Sequence, residues 1–166
     1  MKIKIHPMDE LLSFWVYRMQ TQSSTVLRRA FEAAGYNLTG EQWGVLTRLK
    51  EDEGINQSQL GEKMLKDRHN VTRILNLLEK RGYIKRRADS ADMRAYRIFL
   101  TQEGRAVQES LNSIVENHLK NMYGGLSPED LAAMRRIVER VVTNLEKTPP
   151  DRDDTPQDGK GTDADN

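Results

Sequence analysis

Residues 86–98, RRADSADMRAYRI, place four arginines and two aspartates within thirteen positions. Guanidinium groups bind phosphates and base edges, and an arginine can enter the narrow minor groove of A·T-rich DNA, where the negative potential is enhanced. Asp92 lies two residues before Arg94, close enough to orient its guanidinium through a charge-assisted hydrogen bond. We therefore expect Arg94 to probe DNA and Arg87 and Arg97 to flank phosphates. The alternative is an exposed loop in which the ion pair between Asp92 and Arg94 only stabilises the loop itself.

A second group of polar side chains lies on the helix predicted over residues 67–81. Its apolar positions follow the i, i+3, i+4, i+7 spacing of a buried helix face. The opposite face carries side-chain types that meet phosphates and base edges: Arg68, His69, Asn70, Thr72 and Arg73. It lacks the Glu/Lys alternation of an ordinary solvated helix, which is the alternative interpretation. We expect these five residues to bind DNA, together with Ser58 and Lys66 just before them.

Periodicity, caps and breakers predict the elements that position these groups. Helices are expected over about 9–34, 39–54, 57–64, 67–81, 101–123 and 127–146, and strands over 83–87 and 95–100. The short third helix, its turn and the next helix form a helix-turn-helix, and the hairpin after it adds a wing. The predicted fold class is mainly α with a small β-hairpin wing, a winged helix-turn-helix flanked by N- and C-terminal helices.

The terminal helices carry more bulky apolar side chains than one small domain can cover. The excess includes Leu12, Trp15, Leu111, Leu119, Val138 and Leu145. We therefore expect a homodimer, with dimerisation helices at about 9–34, 101–123 and 127–146 and a DNA-binding lobe at about 39–100. All of these lie in one predicted domain, residues 1–147.

Charge is divided along the chain, although the formal net charge is only +1. Residues 57–105 contain twelve Lys and Arg against six Asp and Glu, a local net charge of +6, whereas residues 148–166 contain two against six, a net charge of −4. The acidic segment has no bulky apolar residue and is predicted to be disordered. The sequence has no cysteine, no membrane-length apolar run and no signal-peptide pattern, so a cytoplasmic location is expected.

Four stretches resemble the MarR family of bacterial winged-helix transcription regulators: LTGEQWGVLTRL (38–49), NQSQLGEKML (56–65), NVTRILNLLEKRGYIKR (70–86) and DMRAYRIFLTQEGR (92–105). With the flanking helices, the resemblance covers roughly residues 9–146. It implies a homodimer that binds a pseudo-palindromic operator, usually as a repressor, with recognition helices in the major groove. It also places the wing arginine at the Asp92-x-Arg94 position, reaching the minor groove.

The resemblance further implies release from DNA by a small aromatic or phenolic effector, bound between the dimerisation and DNA-binding regions. The side chains expected to suit an aromatic acid are Tyr17, Arg18, Tyr36 and Trp43, although Trp43 follows a capping box on an inward stripe and is equally explained as core. Peroxide sensing through cysteine is excluded, because the chain has none. A zinc sensor is not expected, since the three histidines are far apart in sequence, and we expect no cofactor.

Two other function classes compete with a DNA-binding regulator. An enzyme is not expected, because the sequence has no Gly-rich phosphate loop, HExxH, GxSxG or cysteine nucleophile. A winged helix that binds only proteins is compatible with the fold, since fold does not fix function. The +6 segment and the arginines of the hairpin favour DNA over this second alternative.

Overall fold

The computed structural model describes residues 7–89 and 96–147, apart from the side chain of Asp9. The predicted minor-groove residues Asp92 and Arg94, and the acidic segment 148–166, lie outside the described residues. The chain divides at Gly124–Gly125 into two compact units. Within the described ranges, the first unit holds the hairpin and all helices but the last.

The order of elements confirms the predicted fold. They are α1 (Leu12–Ala33), α2 (Gly40–Glu51), α3 (Gln57–Met64), α4 (Arg68–Lys80), β1 (Ile84–Ala88), β2 (Tyr96–Leu100), α5 (Gln102–Met122) and α6 (Pro128–Glu146). The two strands pair in an antiparallel hairpin. Some predicted bounds were wrong: a 3-10 turn precedes α1, α2 ends three residues before Gly54, and β1 both begins and ends one residue later than predicted.

Each helix of the winged lobe begins where its cap was predicted. The Gln42 backbone N–H donates to Thr39 Oγ1 at 3.2 Å, and the Thr39 N–H donates to Gln42 Oε1 at 3.0 Å, which completes the capping box. Asn56 and Asp67 cap α3 and α4, and their side-chain oxygens accept the N–H three residues on. Side-chain caps thus fix the short spacing of the helix-turn-helix.

The core of the first unit lies under the helix-turn-helix. The apolar stripe of α4, Val71, Ile74, Leu75 and Leu78, is no more than 1% exposed. Around it pack buried side chains from the other α-helices of the unit and from both strands, among them Phe31, Leu46, Leu49, Leu60, Ile98 and Leu111. The prediction that Leu111 belongs to the uncovered excess was wrong, because α5 packs against α1 and α2 and encloses it.

Helix α1 buries a different face from the one its N-terminal half presents. Its buried residues are Leu27 and Phe31 near the C-terminus. The stripe predicted from the sequence begins with Leu12, Trp15 and Met19, which are 68%, 51% and 40% exposed. This half of α1 therefore offers an apolar surface that the first unit does not cover.

The wing is joined by backbone hydrogen bonds to the loop between α2 and α3. The Gly54 N–H donates to the Ile98 carbonyl at 3.1 Å, and the Ile98 N–H donates to the Ile55 carbonyl at 3.1 Å. Ile98 and Leu100 on β2 are buried, whereas Tyr96, predicted to share their face, is 55% exposed because the strand runs past the edge of the core. The loop thus acts as a third, very short strand.

Gly104 ends the segment LTQEG (residues 100–104), and close packing accounts for the glycine at this position. It lies in the first turn of α5, where a Cβ atom would stand 1.9 Å from the Tyr83 carbonyl oxygen. The same carbonyl accepts the Thr101 N–H at 3.0 Å. Only glycine allows this close approach, which docks the start of α5 against the start of the wing.

The second unit is described by α6. Ser127 and Asp130 form a capping box around Pro128 at the first helical position. The helix has an apolar stripe but no buried residue. Its apolar side chains are 46% to 68% exposed at five positions: Ile137, Val138, Val141, Val142 and Leu145.

Candidate nucleic-acid interface

The polar face of α4 is exposed along its N-terminal half. Arg68, His69, Asn70 and Arg73 are all solvent-exposed, while the opposite side of the helix is buried in the core. Among the described contacts, none engages the guanidinium of Arg68 or Arg73. The helix therefore presents two charged, five-donor groups at the end that a recognition helix inserts into the major groove.

Asp67 fixes the orientation of this helix end. Its Oδ1 accepts the Asn70 backbone N–H at 2.8 Å, and its Oδ2 accepts the Asn70 side-chain amide at 2.7 Å. These hydrogen bonds, the backbone one first, hold the pKa of Asp67 below its ordinary value. One amide proton of Asn70 is thus already used, and the amide oxygen and second proton stay available to a base edge.

Thr72, predicted to bind DNA, is engaged inside the helix-turn-helix. Its hydroxyl donates to the Arg68 carbonyl and accepts the Gln57 side-chain amide, each at 2.7 Å. The residue is half-buried between α3 and α4. Sequence reasoning did not give Gln57 this bridging role, because the eleven- to fifteen-residue separation follows no single helical period.

Among the described contacts, some basic side chains around α4 are paired with carboxylates of the same lobe, unlike Arg68 and Arg73. Lys66 Nζ lies 2.6 Å from Glu41 Oε1, and Lys63 Nζ lies 2.7 Å from Asp52 Oδ2. Such pairs of exposed groups are worth little and are easily exchanged for a phosphate. A phosphate group would therefore compete with a carboxylate for each of these lysines.

Arg86 on β1 joins the wing to α4. Its guanidinium pairs with Glu79 and also donates to Asn76 Oδ1 at 2.9 Å. Both partners lie on the C-terminal half of α4. Arg87, the next residue, is exposed and stacks over the Phe99 ring at 5.3 Å from its centroid. Among the described contacts, no hydrogen bond engages the Arg87 guanidinium, and a cation–π contact uses only its face.

An open groove of about 880 Å³ separates α3 from the wing. Ser58, Lys66 and Arg68 line one side and Arg86 and Tyr96 line the other. The predicted DNA residues Ser58 and Lys66 thus lie beside the N-terminus of α4, as required if they contact phosphates. The groove is concave, partly apolar and open to solvent along one face of the helix-turn-helix.

The four predicted effector residues do not form one site among the described contacts. Tyr17 is 66% exposed. Arg18 stacks over Trp15, with its guanidinium carbon 5.2 Å from the ring centroid. Tyr36 and Trp43 pack instead against the core cluster. No described contact links the α1 residues to this second pair.

Trp43 belongs to a polar network between α2 and α5. Its Nε1 donates to Asn112 Oδ1 at 3.1 Å, and Gln108 Nε2 donates to the same oxygen at 2.9 Å. Gln108 is 2% exposed and also contacts Thr47. Trp43 therefore connects the DNA-binding lobe to α5 and acts as part of the packed interior, which favours the core interpretation of this residue.

Two further kinds of site, a metal centre and a membrane-spanning helix, have no counterpart in the described residues. Within 7–89 and 96–147, no group of three or more His, Cys, Asp or Glu side chains is arranged to hold a metal ion. Over those ranges, no helix has the length and hydrophobicity needed to span a bilayer.

Comparisons with known proteins agree with this geometry. A model of the MarR family matches residues 38–96. The HTH-type transcriptional regulator PrsX of Escherichia coli is 30% identical over 131 residues, or 78% of this chain and 75% of PrsX. A probable transcriptional regulator from Pseudomonas aeruginosa is 26% identical with a TM-score of 0.75, covering 81% of this chain and 99% of that chain. The repressor CouR, bound to a 23-mer DNA duplex, shares the fold at 24% identity and a TM-score of 0.74, over 86% and 99% of the two chains.

Proposed function

Because the chain belongs to the MarR family of transcriptional regulators, we propose that it represses transcription by binding a pseudo-palindromic operator as a homodimer. Helix α4 of each subunit enters the major groove, and the two helices lie about 34 Å apart, one turn of DNA. The family and the matched relatives are regulators rather than enzymes. The repressor role is supported by CouR, a transcriptional repressor of the same fold whose structure contains a DNA duplex.

The observation that carries the proposal is the two-sided surface of α4. Its apolar stripe is no more than 1% exposed, so packing fixes the orientation of the helix and keeps Arg68 and Arg73 on its solvent-exposed face. A rigid helix with guanidinium groups at its N-terminal half suits bidentate recognition of guanine.

The first experiment is selection of random DNA by the purified protein, followed by affinity measurements on the selected operator and a scrambled duplex. Arg73→Ala should weaken operator binding by roughly 1–3 kcal/mol and relax base preference. Lys80→Ala removes the same charge from the other end of α4 and serves as the matched control. Equal affinity of the Arg73 variant and the parent for the operator would reject a recognition role for α4.

The wing is proposed to reach the minor groove through Arg94, oriented by Asp92. Both residues lie outside the described residues, and the proposal rests on the D-x-R pattern and the basic strands beside it. Arg94→Ala should cost roughly 1–3 kcal/mol of operator binding, with the dimer still folded. Unchanged operator affinity of the folded variant would show that the wing is not a DNA probe.

The proposed homodimer is supported by the exposed apolar surfaces of α1 and α6, described above for each helix. Contiguous apolar patches of this kind mark interaction sites in soluble proteins. Sedimentation at micromolar concentration should give a dimer. A stable, folded monomer under these conditions would overturn the assembly and with it the two-fold operator.

An effector site is proposed in the same family framework, for an aromatic acid near Tyr17, Arg18 and Tyr36. The cation and the aromatic rings supply the chemistry, although no described contact assembles them within one subunit. A panel of aromatic acids should raise the melting temperature and lower operator affinity. The proposal fails if neither quantity changes for any member of the panel.

A winged helix that binds only proteins remains the competing function. The two functions differ in their response to salt. DNA binding weakens linearly on a plot of log K against log salt, because phosphate contacts release counterions. A binding partner captured through a salt-insensitive apolar interface would favour the protein-binding alternative.

A further inference from the structure

Arg97 at the base of the wing directs its side chain toward the protein itself. Its Nε donates to Asp89 Oδ2 at 2.8 Å, and its Nη1 donates to the Gly54 carbonyl at 3.2 Å. The Asp89 side chain is only 11% exposed, whereas that of Arg97 is 51% exposed. A charge-assisted bond to a nearly buried acceptor is better shielded from water and salt than a surface ion pair.

These contacts join three segments that are separate in sequence. Asp89 follows β1 at the point where the chain leaves for the hairpin tip, Arg97 lies on β2, and Gly54 precedes the cap of α3. The backbone bonds between Ile98 and Gly54–Ile55 hold the same loop. Arg97 thus ties both strands of the wing to the entrance of the helix-turn-helix.

We propose that Arg97 is a positioning residue, which fixes the angle of the wing on the helix-turn-helix through Asp89 and the Gly54 carbonyl, and is not a phosphate ligand. We call this arrangement the wing strap. The wing strap rests on the proposed function in one respect, namely that the wing contacts DNA at a fixed angle. It assigns Arg97 a role different from the phosphate contact that its position in the basic stretch predicts.

The wing strap and a phosphate contact predict opposite signs for Asp89→Asn. This substitution keeps the shape of the side chain and makes the lobe more positive by one charge. If Arg97 bound phosphate, releasing it from Asp89 would tighten DNA binding. If the strap orients the wing, operator binding should weaken roughly tenfold, the size expected for loss of one DNA contact.

Substitutions of Arg97 provide a second discrimination. Lysine keeps the charge but cannot serve two acceptors in the fixed fork of a guanidinium. If the wing strap is correct, Arg97→Lys and Arg97→Gln should both lower operator affinity. The slope of log K against log salt concentration should stay the same as in the parent protein. Under phosphate contact, Arg97→Lys retains affinity, and Arg97→Gln lowers the slope by about 0.9.

Glu53→Gln is the matched control, because it removes one acid from the loop between α2 and α3, next to Gly54. Glu53 pairs with Arg105 and takes no part in the wing strap. It should bind operator as the parent does, or slightly more tightly through charge alone. A Glu53 variant that weakens binding as much as Asp89→Asn would overturn the strap, since the effect would belong to the loop in general.

Hydrogen exchange separates failure of the strap from failure of DNA binding. The Ile98 amide, which donates to the Ile55 carbonyl, should exchange severalfold faster in Asp89→Asn and in Arg97→Lys, but not in Glu53→Gln. If exchange is unchanged in both strap variants, the strap is wrong even where the parent binds its operator. If exchange rises and the parent binds no selected DNA, the strap stands as a device of the fold and the proposed function fails.

Discussion

Helices α4 and α6 have similar sequence patterns and opposite surroundings. Both start at a side-chain cap, and both carry an apolar stripe at helical spacing. The stripe of α4 is no more than 1% exposed, whereas the stripe of α6 has no buried residue. An amphipathic pattern therefore indicates that a helix packs against an apolar surface. It does not indicate whether the same chain provides that surface.

The difference also separates two kinds of functional surface. Because α4 is held by its own core, its polar face is free to meet a ligand in a fixed direction. In α6 the apolar face is exposed, and it is the surface through which we propose that the subunits associate. Substitutions in the two stripes should therefore change different quantities, one the stability of the lobe and the other its association.

The largest effect is expected for Leu75→Ala, in the buried stripe of α4. Removing a fully buried leucine side chain should lower the free energy of unfolding of the lobe by about 2–5 kcal/mol. Urea unfolding followed by circular dichroism at two protein concentrations gives the loss, which should be the same at both. Leu65→Ala, at a side chain that is 94% exposed, is the control and should change stability by less than ~0.5 kcal/mol.

A somewhat smaller effect, on association, is expected for Val141→Asp in α6. A carboxylate placed in an apolar interface is desolvated without a partner, which should weaken dimerisation by roughly 2–4 kcal/mol. Analytical ultracentrifugation measures the change. Arg136→Asp alters charge on the opposite face of α6 and should leave the dimer intact. Equal behaviour of the two variants would mean that the apolar face of α6 is not the interface.

The smallest effect is expected at the cap of α4 and depends on pH. Hydrogen bonds from Asn70 lower the pKa of Asp67 below its ordinary 3.8 in the folded protein. The ionised cap therefore contributes stability that is complete above that value and is lost as the pH falls through the lower, folded pKa. Asp67→Asn keeps a capping side chain but has no charge to lose.

The stability difference between Asp67→Asn and the parent should thus be present at neutral pH and vanish in strong acid. Urea midpoints across the acid range give this difference. Asp130 in α6 also has a lowered pKa, caused by the Ser127 backbone N–H, so Asp130→Asn should behave in the same way. A difference that stayed constant with pH in both variants would contradict the role of the charge.

Most of the fold could be predicted from local signals. Thr39, Asn56, Asp67, Thr101 and Ser127 each cap a helix that begins at the next residue. Such caps act within four residues, so the sequence alone contains both partners. The burial of Leu111 and the exposure of Tyr96 were missed, because each depends on how distant elements pack.

The sequence predicted which residues belong to the candidate site, but not which of their side chains are paired with other groups of the protein. Arg68 and Arg73 stand on the exposed face that helical spacing indicates. The acceptors that engage Lys66 and Arg97 could not be assigned, because Glu41 is 25 residues from Lys66 and the Gly54 carbonyl carries no sequence signal at all. The contacts that decide which cations are available are tertiary.

The short backbone pairing between Gly54–Ile55 and Ile98 also bears on how this lobe is engineered. An inserted residue between Asp52 and Asn56 would move either the α3 cap or the partner of Ile98 out of register. Arg86 also joins β1 to α4, so α4 cannot be exchanged independently of the wing. A chimaera designed to transfer DNA specificity should therefore exchange residues 54–100 as one block. Helix α4 transplanted alone would lack the loop and wing contacts that orient it.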